Sequence, residues 1–260
     1  MGYRLVLSEC RLSSQSKNIQ LNGNVSRVVF ILEGIAVIRE GSGTESTLGK
    51  NSAIYSNNTL EIGYEGIKSV ILIWEVLHDL YPPRQCISEI YNDVTKKLES
   101  EINLQSEGAY LIRCDMVDFP LGGIAYTHTH KGPGIRYLMS GSLDVTVNGE
   151  TAHILPHQAW FETGPQHVYA VSSETVLTSF VRVMVLPVSI KGLKSIEYVL
   201  KEDDETNYVN PELIAEEVSF AKRLFNQQSW PVIDVSRRSI EETAAAIITL
   251  RAQRYEGEID

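Results

Sequence analysis

The sequence predicts a mainly β protein that ends in a small α-rich appendage. Short apolar runs alternate with clusters of Gly, Asn and Ser over residues 1–190, which is typical of a β-sandwich or β-barrel. A strand–glycine–strand pattern occurs twice, and such an internal repeat indicates a duplicated domain. Near residue 200 the pattern changes to an acidic stretch, followed by apolar residues at helical spacing.

The predicted strands are rich in Val, Ile, Leu, Phe and Tyr, residues that favour the pleated conformation. They are Val28–Leu32, Ile35–Arg39, Val70–Val76, Tyr110–Met116, Tyr137–Met139, Leu143–Val147 and Thr178–Val185. Turn-forming residues stand between them at 21–24, 40–43, 140–141 and 148–150.

The repeated pattern comprises Arg27–Val37 and Gly134–Val145. Each copy has an apolar strand, a glycine turn at Gly34 or Gly141, and a second, alternating strand. Between the copies, Ile87–Glu107 is polar, and its apolar residues recur at intervals of four. This spacing predicts a connecting helix or a long loop.

The chain after residue 200 predicts an acidic linker, a helix, a short strand and a final helix. The linker is Lys201–Asn207, and Asn210 followed by Pro211 is a helix start signal. Trp230–Val235 predicts the short strand, and a capping box at Ser239 opens the final helix. The two apolar stripes are Ile214, Val218, Ala221 and Phe225, then Ile240, Ala244, Ile247 and Ile248.

Composition limits the partners that we expect. With 23 basic and 33 acidic residues among 260, the net charge is −10 and the isoelectric point about 5.2. Such a chain repels polyanions, so we expect no nucleic acid and no anionic membrane as partner. The first ten residues are too polar for a signal peptide, and Cys10, Cys86 and Cys114 lack metal spacing. We therefore expect a cytoplasmic protein with reduced thiols.

Three of the six histidines form a candidate metal site. His128 and His130 lie in a segment that predicts a strand, and period-2 alternation places both on one face together with Tyr126. Neutral imidazoles on one face can share a divalent metal ion. His167 follows in Glu162–Tyr169 and is the third candidate ligand.

These residues resemble the two conserved motifs of the cupin superfamily. The first motif is Gly122-x5-His128-x-His130 with a later Gly141, and the second is Gly164-x-x-His167. The match covers residues 110–186, whereas residues 20–77 match only in strand-and-glycine pattern. The resemblance implies two cupin jelly-roll (double-stranded β-helix, RmlC-like) barrels: a degenerate barrel in 1–80 and a metal-binding barrel in 81–198. An acidic linker and α-rich tail follow in 199–260.

The chain departs from the full cupin ligand set at one position. The family's glutamate stands seven residues before the second glycine of the motif, and Gly134 occupies that position. The resemblance therefore implies a site of His128, His130 and His167, similar to those of thiol and diketone-cleaving dioxygenases. Iron is the metal expected first, with zinc, manganese or nickel as alternatives. Three neutral ligands leave the ion its full charge, which suits a chelating anionic substrate.

Three further residues are candidates for contact with the substrate. Arg136 lies two residues after Gly134, on the same predicted inward face, and a buried guanidinium suits a carboxylate. Tyr126 and Tyr169 share faces with neighbouring histidines and could orient a ligand. The alternatives are that Arg136 pairs with a nearby acid and that both tyrosines belong to the core.

The tail carries a second resemblance. Glu217–Phe225 and Trp230–Ile247 are similar to the C-terminal end of the bifunctional kinase–phosphorylase regulators of phosphoenolpyruvate synthase and pyruvate phosphate dikinase. The chain contains no Gly-x4-Gly-Lys-Ser/Thr sequence, so the nucleotide chemistry of that family does not carry over. The tail is then a docking or dimerisation module, or a packed appendage without activity.

Two functions follow from these patterns. The first is a metal-dependent cupin enzyme, an Fe(II) oxygenase type acting on a small carboxylate-bearing molecule, with Arg136 holding the anion. The second is a non-catalytic, ligand-binding or regulatory bicupin whose tail contacts a partner protein. A homodimer is the expectation from the family.

Overall fold

A computed structural model describes residues 2–13, 16, 18–78, 86–91, 93–104, 109–199, 233, 244 and 247–250. The chain divides into two compact units, Met1–Leu200 and Lys201–Asp260. In the second unit, residues 244 and 247–250 are helical, as predicted for the final helix. The other elements predicted for the tail lie outside the described residues. Within the described part of the chain, no helix is long and apolar enough to cross a membrane.

Strands make up most of the first unit, which confirms the predicted fold class. Those of its first half are β1 (Tyr3–Ser13), β2 (Ile19–Leu21), β3 (Ser26–Glu40), β4 (Glu45–Gly49), β5 (Ala53–Ser56), β6 (Leu60–His78) and β7 (Val94–Ile102). Those of the second half are β8 (Tyr110–Phe119), β9 (Ile124–His130), β10 (Gly134–Ser140), β11 (Leu143–Val147), β12 (Glu150–Ile154), β13 (Ala159–Glu162), β14 (Val168–Ser172), β15 (Thr178–Pro187) and β16 (Ile196–Tyr198). Short 3-10 helices span Ile87–Glu89 and Val188–Ile190.

The two halves share one pattern of strand pairing. The first part of β3 pairs with β5 and its second part with β4, as β10 pairs with β13 and β11 with β12. β6 pairs with both parts of β3, whereas β15 and β14 divide this role on β10 and β11. β1 and β2 flank β6 as β8 and β9 flank β15 and β14. The sequence repeat therefore corresponds to a repeated strand order, consistent with the two predicted barrels.

Gly34 lies in a β-bulge, whereas the sequence predicted a turn. β3 runs without a break through this position, and its register with β6 shifts on both sides of Glu33. Gly34 has φ +77°, and an added Cβ would stand 2.3 Å from the carbonyl oxygen of Lys68. At Gly141 the turn prediction is correct, because β10 ends at Ser140 and β11 begins at Leu143.

The predicted connecting helix in Ile87–Glu107 is a strand over most of its described length. β7 pairs with β1 and buries Val94 and Ile102. Residues four apart share a face in a strand as well as in a helix, so the spacing of Val94 and Leu98 fits both periods. β7 lies beyond the predicted domain boundary at 80/81, and it completes the sheet of the first half.

The described residues of the first unit form four apolar clusters, of which the smallest is Val6, Val25, Leu77 and Cys86. One joins the two halves, and in it the Trp74 indole donates a hydrogen bond of 3.2 Å to the carbonyl of Ile135. The second fills the interior of the first half with residues such as Ile31 and Ile62. The third, which we call the distal cluster, lies in the second half; it consists of Leu138, Leu143, Val145, Ile154, Trp160, Val168, Ala170 and Phe180. No histidine precedes His78 in the sequence, so the candidate site lies in the second half.

Candidate metal site

The end of β9 carries two buried histidines. The side chains of His128 and His130 are 5% and 4% exposed, and their ring centroids lie 4.9 Å apart. Nδ1 of His128 lies 2.7 Å from the carbonyl oxygen of Tyr126. Because a carbonyl only accepts, Nδ1 carries the proton, and Nε2 of the neutral ring keeps its lone pair. Burial lowers the pKa of His128, which favours this neutral form.

Glu162 is the third member of this site. It ends β13, and its Oε2 lies 3.3 Å from Nε2 of His130. The chain after β13 is held against β9, because the His130 amide donates a 2.7 Å hydrogen bond to the Gly164 carbonyl. One ligand atom from each of His128, His130 and Glu162 lies within 4.8 Å of the others. Among the described residues, this is the one group of three or more such side chains.

Arg136 lies beside the cluster on β10, the strand that pairs with β13. Its Nη2 is 2.6 Å from Oε2 of Glu162, and its Nη1 donates a 2.7 Å hydrogen bond to the Gly134 carbonyl. The other carboxylate oxygen of Glu162 accepts a 2.9 Å hydrogen bond from the Trp160 indole. The side chains of Arg136 and Glu162 are 1% and 6% exposed. Both oxygens of the carboxylate are therefore fixed by neighbouring side chains.

The charges of Arg136 and Glu162 cancel inside the protein. Burial alone would raise the pKa of Glu162, but Arg136, His130 and Trp160 together hold it well below its usual range. Burial also lowers the pKa of Arg136, against the opposing effect of Glu162, and a guanidinium stays protonated at neutral pH. With neutral imidazoles, the site has no formal net charge.

Three buried polar atoms at the site have no hydrogen-bond partner among the described residues. They are Nδ1 of His130, Nη2 of Arg136 and Oε2 of Glu162. Nη2 and Oε2 are in ion-pair contact with each other, but they are not aligned as a hydrogen bond. Because buried polar atoms are almost always partnered, Nδ1 of His130 is the one of these atoms that still lacks a partner among the described residues.

The donor set fits a divalent metal ion. Two atoms bound to one ion at about 2.0–2.2 Å stand roughly 3–3.5 Å apart, which agrees with the separation of His130 Nε2 and Glu162 Oε2. Two imidazoles and one carboxylate are common ligands of first-row divalent metals. Position 134 cannot supply the carboxylate, because a Cβ there would lie 2.7 Å from the Val183 carbonyl oxygen. The carboxylate of the candidate set comes from Glu162 on β13.

His167, predicted as the third ligand, is not brought into the cluster. β14 directs Val168 and Ala170 into the distal cluster. Strand alternation then places Tyr169 on the other face, and His167, one residue before the strand, is exposed. The alternation predicted that His167 and Tyr169 share a face, but that face points away from the interior. The structure thus replaces His167 by Glu162 in the candidate set.

Tyr126 is also displaced from the face on which the sequence placed it. Its side chain is 41% exposed, whereas His128 is buried. The register between β14 and β9 shifts between Ala125 and His128, where Tyr126 and Thr127 of β9 oppose the single residue Tyr169 of β14. This bulge removes the alternation from which the shared face was predicted. Arg136 is inward-facing, as predicted, and its partner is the acid Glu162.

Comparison with known proteins identifies relatives of the C-terminal region. The model of the kinase/pyrophosphorylase family matches residues 165–248. The putative pyruvate, phosphate dikinase regulatory protein of Erythrobacter litoralis is 59% identical over 56 residues, which is 22% of this chain and 20% of that protein. The Caulobacter vibrioides protein of the same name is 55% identical over 51 residues, 20% of this chain and 16% of that protein. The chain therefore spans about a fifth of the length of these relatives, and the predicted resemblance of the tail is confirmed.

Structural neighbours of the β-rich region include cupin-type proteins, as the sequence resemblance predicted. AerE from Microcystis aeruginosa has a TM-score of 0.53 at 10% identity, over 70% of this chain and 88% of that chain. A salicylate 1,2-dioxygenase from Pseudaminobacter salicylatoxidans has a TM-score of 0.48 at 9% identity (69% and 70% covered). A cupin 2 conserved barrel domain protein from Leptotrichia buccalis has 0.43 at 14% (70% and 84%). At such identities the likeness concerns the fold alone.

Proposed function

We propose that the second half of the first unit holds a divalent metal ion at His128, His130 and Glu162 and acts there on a small anionic molecule. The observation that carries this proposal is the buried cluster of three ligand atoms within 4.8 Å. The separation of 3.3 Å between Oε2 of Glu162 and Nε2 of His130 supports it, because two atoms bound to one ion stand about 3–3.5 Å apart. Iron is the first candidate because two histidines and a carboxylate are the donors of non-haem Fe(II) oxygenases, with zinc, manganese and nickel as alternatives.

Two of the three proposed ligands, His128 and Glu162, are already oriented by a neighbour. The Tyr126 carbonyl fixes the tautomer and ring plane of His128, and the Trp160 indole holds one oxygen of Glu162. Trp160 itself packs edge-on against Phe180 in the distal cluster, with ring centroids 5.2 Å apart. A bound metal would polarise a chelated substrate and, in the case of iron, activate dioxygen. The apolar residues of the distal cluster keep the surroundings of these ligands poor in water.

The test compares four variants in metal binding. We expect His128→Ala, His130→Ala and Glu162→Ala to weaken the binding of Fe(II), Mn(II) or Zn(II) by at least about tenfold, because each removes a ligand. His167→Ala is the matched control, and we expect it to bind metal as the unchanged protein does. Metal content and affinity are measured by elemental analysis and calorimetry. Loss of metal in His167→Ala, with retention in Glu162→Ala, would contradict the proposed ligand set.

Catalysis is tested separately from binding. We expect the iron-loaded protein to consume dioxygen with one or more members of a panel of small carboxylic acids and thiols. The unloaded protein and Glu162→Ala serve as controls. If the loaded protein binds such an acid without consuming oxygen, the oxygenase part of the proposal fails, and the metal site remains.

A second candidate function rests on the tail. The match to pyruvate, phosphate dikinase regulatory proteins favours a regulatory or ligand-binding protein whose tail contacts a partner protein. A homodimer is a further possibility to test. Sedimentation of the full chain, alone and with pyruvate phosphate dikinase, distinguishes a monomer, a homodimer and a heteromeric complex. A monomer that sediments independently of the dikinase would contradict docking on that enzyme.

A further inference from the structure

Arg136 and the metal ion of the proposed site would compete for one oxygen atom. Nη2 of Arg136 stands 2.6 Å from Oε2 of Glu162, the same oxygen that faces Nε2 of His130 at 3.3 Å. Arg136 is 1% exposed, so water does not screen its charge. The negative charge of Glu162 is already cancelled before any cation arrives.

Charge balance therefore disfavours a lone cation in this site. Two neutral imidazoles and a paired carboxylate offer no net negative charge, so a divalent ion would leave two uncompensated positive charges in the interior. Uncompensated charge in a medium of low dielectric constant is strongly unfavourable. The repulsion between the ion and the guanidinium adds to this penalty. Arg182, the register partner of Arg136 on β15, brings no compensation, because its guanidinium is paired with Asp115 at 2.6 Å.

We infer that the site binds its divalent cation together with a small anionic ligand, and that Arg136 is the residue that imposes this coupling. The inference rests on the proposed metal site. A ligand with two acidic groups, such as a short dicarboxylate, restores neutrality: one group ligates the ion, and another accepts from Arg136. Without the anion, Arg136 acts through Glu162 and lowers the affinity for the cation; with the anion bound, Arg136 contacts the anion directly.

Replacing Arg136 changes the affinity for the cation, and the direction of that change distinguishes the proposed coupling role from a purely structural one. Without the guanidinium, Glu162 becomes an unpaired buried carboxylate, and a cation is the group that best compensates it. Loss of Arg136 should therefore strengthen cation binding in the absence of the anion. If Arg136 only supported the local structure, its loss would weaken cation binding under all conditions.

The experiment measures Mn(II) bound at equilibrium by dialysis of the full chain against a fixed free Mn(II) concentration. Malonate is the probe anion, and chloride at equal ionic strength is its control. For the unchanged protein we expect malonate to increase Mn(II) affinity by about tenfold or more. For Arg136→Met we expect Mn(II) binding without malonate to be about tenfold tighter than in the unchanged protein, and the malonate effect to vanish.

Arg182→Met is the matched control, and we expect it to keep the malonate effect. Circular dichroism verifies that each variant is folded, and the comparison in the unchanged protein needs no variant at all. Equal Mn(II) affinity with malonate and with chloride would overturn the coupling but leave the metal site intact. An absence of Mn(II) binding under both conditions would contradict the proposed metal site itself.

Discussion

Glu9 and Tyr137 join the two halves of the first unit through a buried contact. The Tyr137 hydroxyl donates a 2.8 Å hydrogen bond to Oε2 of Glu9, and Nη2 of Arg11 lies 2.5 Å from Oε1. Glu9 is 4% exposed. Burial alone would raise its pKa, but Tyr137, Arg11 and Lys97 together bring the pKa below its ordinary value. The carboxylate is therefore ionised in the folded protein over the whole neutral range.

The buried contact between Glu9 and Tyr137 predicts that the free energy of unfolding depends on pH. Because the pKa of Glu9 is lower in the folded than in the unfolded chain, its stabilisation is present above the ordinary value of 4.5 and is lost as the pH falls below it. We expect Glu9→Gln to lower the free energy of unfolding by about 1–3 kcal/mol at pH 7. The difference should shrink on acidification. Denaturant titrations between pH 7 and 3 measure it.

Glu33 provides the matched control for that measurement. Its side chain is 48% exposed and pairs with Lys68 at 3.3 Å. We expect Glu33→Gln to change the free energy of unfolding by less than about 0.5 kcal/mol at any of these pH values. A Glu9→Gln difference that stays constant or grows as the pH falls would show that ionised Glu9 does not stabilise the fold.

At the scale of single residues, the sequence identified two of the three candidate ligands and missed Glu162. His128 and His130 were found because alternation within one strand determines which residues share a face. Glu162 was missed because it reaches His130 from another strand, and pairing between strands cannot be read from spacing along one of them. Trp160 and Glu162 do alternate on β13, and this pattern could have pointed to an inward acid.

The prediction of single strands also succeeds where the signal is local in sequence and fails where pairing with a distant strand determines the structure. The core segments of β3, β6, β8, β10, β11 and β15 were predicted, because their apolar runs are local signals. The sequence predicts a helix or loop for β7, because a spacing of four fits both periods. It predicts a turn at Gly34, since only the neighbouring strand β6 shows that β3 continues.

The bulge at Gly34 predicts that any side chain at position 34 destabilises the fold. An alanine there would have to adopt φ +77° and place its Cβ 2.3 Å from the Lys68 carbonyl. We expect Gly34→Ala to lower the free energy of unfolding by about 2 kcal/mol or more. Gly49→Ala in β4 is the control, because nothing lies within 4 Å of its added Cβ. Chemical denaturation of both variants compares them, and equal stabilities would contradict the bulge.

At the scale of the whole molecule, the proposed metal site involves residues of the first unit alone. All of its residues lie within Met1–Leu200, and the tail begins at Lys201. We expect a chain that ends at residue 200 to keep the β-rich circular dichroism spectrum and the Mn(II) affinity measured with malonate. Calorimetry and dialysis check this. A truncated chain that folds but binds no Mn(II) would show that the tail contributes to the site.

The organisation of the whole molecule could largely be predicted from the sequence, because the sequence contains an internal repeat. A duplicated pattern of strands and glycines extends over a whole domain, so a wrong prediction for one strand does not change the inference of a repeat. The place of β7 in the first sheet was not predictable, because a strand that joins β1 from more than 80 residues away is selected by tertiary packing alone.

Each half of the first unit buries an arginine–glutamate pair. In the first half, Nε of Arg27 donates a 2.9 Å hydrogen bond to Oε1 of Glu75, and the Ile87 amide donates one of 2.8 Å to Oε2. Both oxygens of Glu75 are therefore used within the fold. In the second half, Oε2 of Glu162 also faces the buried His130. We therefore expect a change in the first pair to affect folding alone, and a change in the second pair to affect both folding and the proposed metal binding.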